Sequence, residues 1–296
     1  MHDDSRHIPE RINDCLLGIY EKALPMDMSW DERMRAAKEA GYDFIEISID
    51  ETDERMARVE SETKTAEIVS AMHRQTMPIL TMCLSGNRRF PIGSENNETR
   101  TRGITLIKNA VDFSLKIGVR IVQLAGYDEY YNTPNGKTRL LFAKALEEVV
   151  CYAASHGVCL AFETMETSMM DSIRKIMRFV SNIKSPYLQV YPDVGNLTSM
   201  GVNVQRDFMT GSGHITAIHL KDTIPGKIRD IPYGAGNVDF VAFFRYLCKI
   251  NFKGLLVAEM WATDDRQASI DYIKTAREFL LDRYNEAEES MINRAI

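Results

Sequence analysis

Eight short apolar runs, alternating with segments of helical spacing from Leu16 to about Arg283, constrain this chain more than any other feature. They read Leu17 to Tyr20, Phe44 to Ile49, Ile79 to Leu84, Ile121 to Leu124, Val158 to Glu163, Leu188 to Asp193, Ile215 to Leu220 and Leu255 to Glu259. Strands covered on both faces look like unbroken apolar runs of about four to eight residues, and such strands belong to parallel sheets. Eight of them are the number that closes a barrel. The expectation is a single (β/α)8 TIM barrel over about 16–283 of the 1–296 chain, because no Gly/Ser/Pro-rich linker divides it. An open doubly wound sheet gives the same alternation, but its glycine fingerprint is missing after the first run, where the chain reads Gly18-Ile19-Tyr20-Glu21-Lys22.

The intervening segments carry their own signals. Trp30 to Ala40 opens with Asp31 and Glu32, acidic residues that suit a helix amino terminus. Thr138 to His156 is the longest, with Leu140, Leu141, Ala145, Val149 and Tyr152 near helical spacing and Gly157 as its stop. The last helix spans roughly Ser269 to Arg283, and the polar tail 284–296 either extends it or frays.

The last four runs each close on a potential metal ligand: Glu163, Asp193, His219 and Glu259. A charged residue closing a barrel strand sits at its carboxyl end, which in this architecture is the active-site face. Singly, a carboxylate there reads as a helix cap or ion-pair partner, and a lone histidine as a hydrogen-bonded core residue. Together they recur at intervals of about 25 to 40 residues, the length of a βα unit. Two Glu, one Asp and one His make a hard site for one divalent cation, and zinc, manganese, cobalt and magnesium all suit it. Asp193 lies in YPDVGN, where Pro192 and Gly195 build a turn that presents the carboxylate and Asn196. His214, at the other mouth, is expected to be structural.

Basic residues gather in two of the loops, Arg88 and Arg89 after the third run, and Lys221, Lys227 and Arg229 after the seventh. Loops after strands seven and eight commonly hold phosphate in such barrels, with glycine amides assisting, and Gly234 and Gly236 are placed for that or for plain turns. Met165, Met169 and Met170 are expected to wall the pocket.

A net charge of −6 argues against a chain whose main partner is nucleic acid, since that affinity comes from clustered Lys and Arg. Five cysteines, odd in number and without CxxC pairing, point to reduced thiols. The amino terminus MHDDSRHIPERIND has no apolar signal region, and no stretch reaches the roughly 18 apolar residues of a membrane span. The chain is expected to be cytoplasmic, with no membrane partner.

The motifs GIYEKALP, IEISIDETDER, CLSGNRRFPIGSE, IVQLAGYD, YPDVGN, HLKDT and VAEMW resemble the L-ribulose-5-phosphate 3-epimerase (L-xylulose-5-phosphate 3-epimerase) family of the xylose isomerase-like barrels, from about Leu17 to Arg283. The resemblance implies a sugar-phosphate substrate in L-ascorbate and pentose breakdown, a homodimer, a metal on Glu163, Asp193, His219 and Glu259, and Glu163 and Glu259 as the proton-transfer pair. Two positions depart from the family pattern: Asn87 stands where a His is expected, and the loop at Gly234 reads Gly-Ala-Gly where an acidic central residue is expected.

Inverting the carbon beside a ketone removes a weakly acidic C–H proton, passes through an enediolate and returns a proton to the opposite face, work for two carboxylates and a cation. In that scheme Arg88, Arg89, Lys221 or Arg229 holds the 5-phosphate, while Lys22 and Glu46 touch substrate hydroxyls. An aldose-ketose isomerase of a pentose or hexulose phosphate uses the same enediolate and stays open. A DNA-repair endonuclease on this fold would need more His ligands than six His offer and a basic groove. A sugar-phosphate sensor would be expected to have lost a ligand, and all four are present.

Overall fold

The computed structural model describes residues 11–295, so the polar segment 1–10 of the amino terminus and Ile296 lie outside the described residues. In chain order the strands are β1 (Leu16–Tyr20), β2 (Phe44–Ile49), β3 (Ile79–Leu84), β4 (Ile121–Leu124), β5 (Cys159–Glu163), β6 (Leu188–Tyr191), β7 (Ala217–Leu220) and β8 (Leu255–Ala258). The helices are α1 (Trp30–Glu39), α2 (Asp53–Met56), α3 (Glu62–Gln75), α4 (Asn97–Ile117), α5 (Gly136–Ser155), α6 (Ile173–Ile183), α7 (Val194–Ser199), α8 (Val204–Thr210), α9 (Phe240–Lys249) and α10 (Arg266–Ala295). All ladders are parallel, in the order β6-β5-β4-β3-β2-β1-β8-β7. The ring closes between β6 and β7 through the bridges Val190 to Ile215 and Asp193 to His219.

Strand ends differ from the sequence expectation by one or two residues, for local reasons. Pro192 has no N–H to continue the β6 ladder, so Asp193 leaves the strand and becomes the cap of α7. Glu259 lies one residue beyond β8, though its N–H still donates to the carbonyl of Leu220, at 2.8 Å. The tail is not frayed: α10 starts at Arg266, earlier than expected, and continues unbroken to Ala295. Helix starts follow cap chemistry. Ser29 and Glu32 form a reciprocal capping box on α1, and Asn135 with Thr138 does the same on α5, which ends before Gly157 in the left-handed region.

The helix-facing side of every strand feeds one large apolar shell between sheet and helices. The barrel interior is different. Its amino-terminal end is plugged by Phe44 with Leu16, Leu80, Ile121 and Leu255. Gly18 makes room for that plug, since a Cβ there would sit 2.3 Å from the Phe44 ring. Toward the carboxyl end the inward side chains turn polar: Glu46, Ser48, Thr81, Gln123, His219 and Asp193 are all buried there. The plug closes the pore, and the polar upper half forms the floor of a site. No described helix is long and apolar enough to cross a membrane.

Candidate metal centre at the carboxyl mouth

Four ligand atoms, one each from Glu163, Asp193, His219 and Glu259, lie within 4.8 Å of one another, and all four residues are buried. His219 is the hub. Its Nδ1 stands 3.4 Å from Glu163 Oε1, 3.5 Å from Glu259 Oε2 and 3.9 Å from Asp193 Oδ2. Atoms that share one cation at roughly 2.0–2.6 Å can be no more than about 5 Å apart, so the spacing matches.

The fit rests on buried polar atoms crowded around one point. His219 Nδ1, Asp193 Oδ2 and Glu259 Oε2 are buried without a hydrogen-bond partner. The Lys221 ammonium forms ion pairs with both of those oxygens, at 2.8 Å each. Three carboxylates buried around one ammonium and one imidazole carry an excess of negative charge, which is costly unless a further cation binds. A nitrogen and three carboxylates suit magnesium, manganese, cobalt or zinc, so this donor set fits a divalent cation.

Asp193 divides its labour between its two oxygens. Oδ1 accepts from the Asn196 N–H at 2.8 Å and caps α7, while Oδ2 faces the cluster. Its own N–H donates to Thr164 Oγ1 at 2.9 Å. Gly195 is needed because a Cβ would lie 2.6 Å from the Lys221 carbonyl oxygen. Asn196 donates to the Thr164 carbonyl at 2.9 Å and keeps a buried, unpaired Oδ1 beside the cleft.

The packed charges shift one another. Burial disfavours the Lys221 ammonium, but Asp193 and Glu259 outweigh it and raise its pKa. Burial, opposed by Lys221 and reinforced by Glu259 and Glu163, pushes Asp193 up to about 8. Burial alone would raise Glu259, but Lys221 and His219 hold it well below the ordinary carboxylate range. Burial would lower His219, but Glu46 and Glu259 carry it well above the usual imidazole value.

Around this centre runs a cleft lined by Lys22, Arg88, Asn196, Lys221 and Arg229, all expected from the sequence. Arg88 donates through Nε to the Tyr127 hydroxyl at 2.9 Å and lies 5.4 Å from the Tyr130 ring centroid. Lys22 is paired with Asp50 at 2.6 Å, and Met165 contributes to the wall as expected. Met170 instead packs against Gly126 in the core.

Two expectations, on Arg89 and Glu46, are corrected, and the choice left open for Gly234 and Gly236 falls to the turn. Arg89 does not line the cleft: it points outward to Asp53 at 2.6 Å and over the Phe90 ring. Glu46 touches no cleft surface: it is wholly buried below the centre, with its two oxygens engaged by His219 and Tyr191. The amides of Gly234 and Gly236 are not offered to a phosphate, because both donate to Asp222 Oδ2 at 2.9 Å. Asn87, at the departing position, turns its amide into the core toward the carbonyls of Phe90 and Gly103. His214 pairs with Gln189 at 2.9 Å, away from the centre.

Sequence reasoning missed Tyr20, Ser85, Glu166 and Trp261, which also line the cleft. Trp261 is the principal omission: its ring has Lys221 Nζ 5.7 Å and Arg229 Cζ 5.3 Å from its centroid. Its position two residues beyond Glu259 was the available signal.

A buried carboxylate and imidazole cluster that could hold a metal ion lies at the carboxyl mouth of a closed parallel barrel, the active-site face of the (β/α)8 architecture. The xylose isomerase-like TIM barrel family matches residues 34–283. The L-ribulose-5-phosphate 3-epimerase of Salmonella paratyphi A is 41% identical over 272 residues, covering 92% of this chain and 95% of the relative. That of Shigella sonnei is 40% identical over the same shares. A solved L-ribulose 3-epimerase superposes with TM-score 0.77 at 18% identity, covering 95% of this chain and 98% of its own. The D-allulose 3-epimerase of Methylomonas sp., solved with D-allulose, gives 0.74 at 19% identity over 92% and 98%, and at such identity the likeness is one of fold. The chain belongs to the L-ribulose-5-phosphate 3-epimerase family of the xylose isomerase-like barrels, and is an enzyme of the isomerase class.

Proposed function

We propose that this chain is a divalent-metal-dependent 3-epimerase interconverting L-ribulose 5-phosphate and L-xylulose 5-phosphate. One observation carries the reading beyond family membership: Glu163 and Glu259 reach the same centre from β5 and β8, 3.4 and 3.5 Å from the His219 Nδ1 between them. Two buried carboxylates flanking one cleft are what a proton removal and a proton return on opposite faces require. Glu163, Asp193, His219 and Glu259 would hold the cation, which supplies positive charge against the negative charge developing on the substrate oxygens.

The rest falls to side chains of the chain itself. Glu259, held ionised by Lys221 and His219, is the carboxylate disposed to take the C3 proton in one direction, with Glu163 returning one from the other face. Arg88, Lys22 and Arg229 give the cleft a cationic rim for the phosphate, and Asn196 offers an unpaired amide oxygen to a hydroxyl. Trp261 covers the cleft from the β8 side and limits water near the reacting carbon.

Proton NMR of L-ribulose 5-phosphate in D2O with the metal-loaded protein tests the reading. Loss of the C3 proton signal with growth of L-xylulose 5-phosphate is the expected result. Exchange at C1 with aldose formation would replace it with an aldose-ketose isomerase, and no exchange at either carbon would reject both.

A further inference from the structure

Below the ligand cluster lies a buried chain of polar contacts that spans the barrel interior. Glu46, on β2, places Oε1 2.6 Å from His219 Nε2, on β7, and Oε2 accepts from the Tyr191 hydroxyl, on β6, at 2.7 Å. All three residues are 0% exposed. The Tyr191 ring stands edge-on to the imidazole, with centroids 4.8 Å apart and planes at 66°.

A carboxylate this deep is costly to bury unless it is hydrogen-bonded and a compensating charge is near. Both hydrogen bonds are present, and the compensating charge reaches Glu46 through the imidazole. The backbone also gives ground at this point. The β2–β3 register shifts by one residue between Ile45 and Glu46, leaving Leu80 as the extra residue. Bulges of this kind re-aim side chains beside functional sites.

An imidazole nitrogen can donate or accept, and its partner decides which. Because Glu46 is an acceptor, Nε2 carries the hydrogen that it receives. Nδ1 faces Glu163, Asp193 and Glu259 at 3.4 to 3.9 Å, and with a cation in place of its proton that nitrogen would offer its lone pair to the same point. We propose that Glu46 is the positioning residue of the metal centre: by accepting the Nε2–H of His219 it fixes the tautomer and ring direction that make Nδ1 a ligand. Tyr191 holds Glu46 in turn, so the two act in series. The inference rests on the metal reading above and adds to it a residue that touches neither substrate nor cation.

The test is Co2+ affinity by chelator competition, together with the visible absorption spectrum of the bound ion, on the full chain. The isosteric Glu46→Gln keeps volume and an acceptor but removes the charge, and Co2+ binding is expected to weaken by about 10- to 100-fold. The absorption band should shift as the nitrogen ligand weakens. Tyr191→Phe should move both readouts in the same direction by less. Gln123→Leu disturbs another buried polar side chain of the barrel interior and should change neither. Wild-type affinity and an unchanged spectrum in Glu46→Gln would overturn the inference while leaving the metal site intact. If Glu46→Gln does not fold, an unchanged affinity and spectrum in Tyr191→Phe does the same. A wild-type chain that takes up no Co2+ would remove the metal reading, and the inference with it.

Discussion

The two halves of the barrel mouth handle buried charge in opposite ways. On the β1–β2 side, the oxygens of Glu21 and Asp50 are all engaged. Glu21 accepts from Arg33 and Arg58, each at 2.7 Å, and from the Ser48 N–H at 2.8 Å. Asp50 takes Thr52 on one oxygen and Lys22 and Arg55 on the other, at 2.6 and 3.1 Å. On the β5–β8 side, Asp193 and Glu259 turn one oxygen each onto a single shared ammonium, Lys221 at 2.8 Å, and Glu163 crowds in 3.4 Å from His219 Nδ1. Carboxylates matched by as many cations hold the wall in place, whereas carboxylates that outnumber the cations among them are set up for a cationic ligand. Carboxylates are common on both sides, so it is their satisfaction that separates structure from chemistry.

The comparison breaks most visibly in turnover. Glu163→Gln or Glu259→Gln should lower kcat by about 10² to 10⁴, the range for a lost general base or acid; the melting temperature should hold in Glu163→Gln and fall modestly in Glu259→Gln, which takes an anion from Lys221. A large loss of stability with retained turnover would place these residues in the wall instead. Glu21→Gln should do the reverse. It leaves three buried guanidinium groups without their shared anion, and removal of one partner from a buried ion cluster costs roughly 3–5 kcal/mol, read by urea unfolding.

Glu21 also carries a pH signature. Burial raises its pKa but Arg58, Arg33 and Arg55 outweigh that, so the folded value lies below the ordinary glutamate value. Its stabilisation is therefore complete above the unfolded value and is lost as pH falls through the folded one. Glu21→Gln should show a shallower decline of stability in acid than the wild type, and equal slopes would contradict that.

What the sequence made legible follows the range of the interactions. Strands and helices depend on neighbours within a turn or a pleat, so all eight strands are found within two residues of the expected ends. The gathering of Glu163, Asp193, His219 and Glu259 was legible because each sits at the same place in its own βα unit. Glu46 was misplaced among the substrate contacts because the partner that defines its role, His219, lies 173 residues away. Arg89 looked equivalent to Arg88 on charge alone, and only the 3-10 turn at Gly86–Arg88 separates a side chain facing Tyr127 from one facing Asp53. The glycine loop after β7 carried a phosphate-binding pattern, but its amides were already taken by Asp222, a pairing that no spacing rule reveals.

The ligand side should respond to cation supply where the wall does not. Extracting divalent metal with a chelator should lower the melting temperature, and restoring the cation at about 100 times its Kd should return roughly 2.7 kcal/mol of stability. Asp193→Asn should abolish most of that return, because it weakens the cluster without touching the β1–β2 side. Glu21→Gln, destabilised from the outset, should keep the full increment. If both variants lost it equally, the two halves would not be independent and the contrast between them would fail.

The smallest effects separate the adjacent arginines. Arg88, half-buried against Tyr127 and Tyr130 on the cleft wall, is expected to contact the substrate phosphate. Losing a charge-assisted hydrogen bond of about 1.5–3 kcal/mol should raise KM for L-ribulose 5-phosphate roughly 10- to 100-fold in Arg88→Ala. KM for unphosphorylated L-ribulose should move far less. Arg89→Ala removes an exposed ion pair with Asp53, and should change stability by less than about 1 kcal/mol and leave KM unaltered for either sugar. Equal KM shifts in the two variants would mean that the β3 loop acts through its net charge and not through the direction of Arg88, and the phosphate would then have to be sought nearer Lys22 and Arg229.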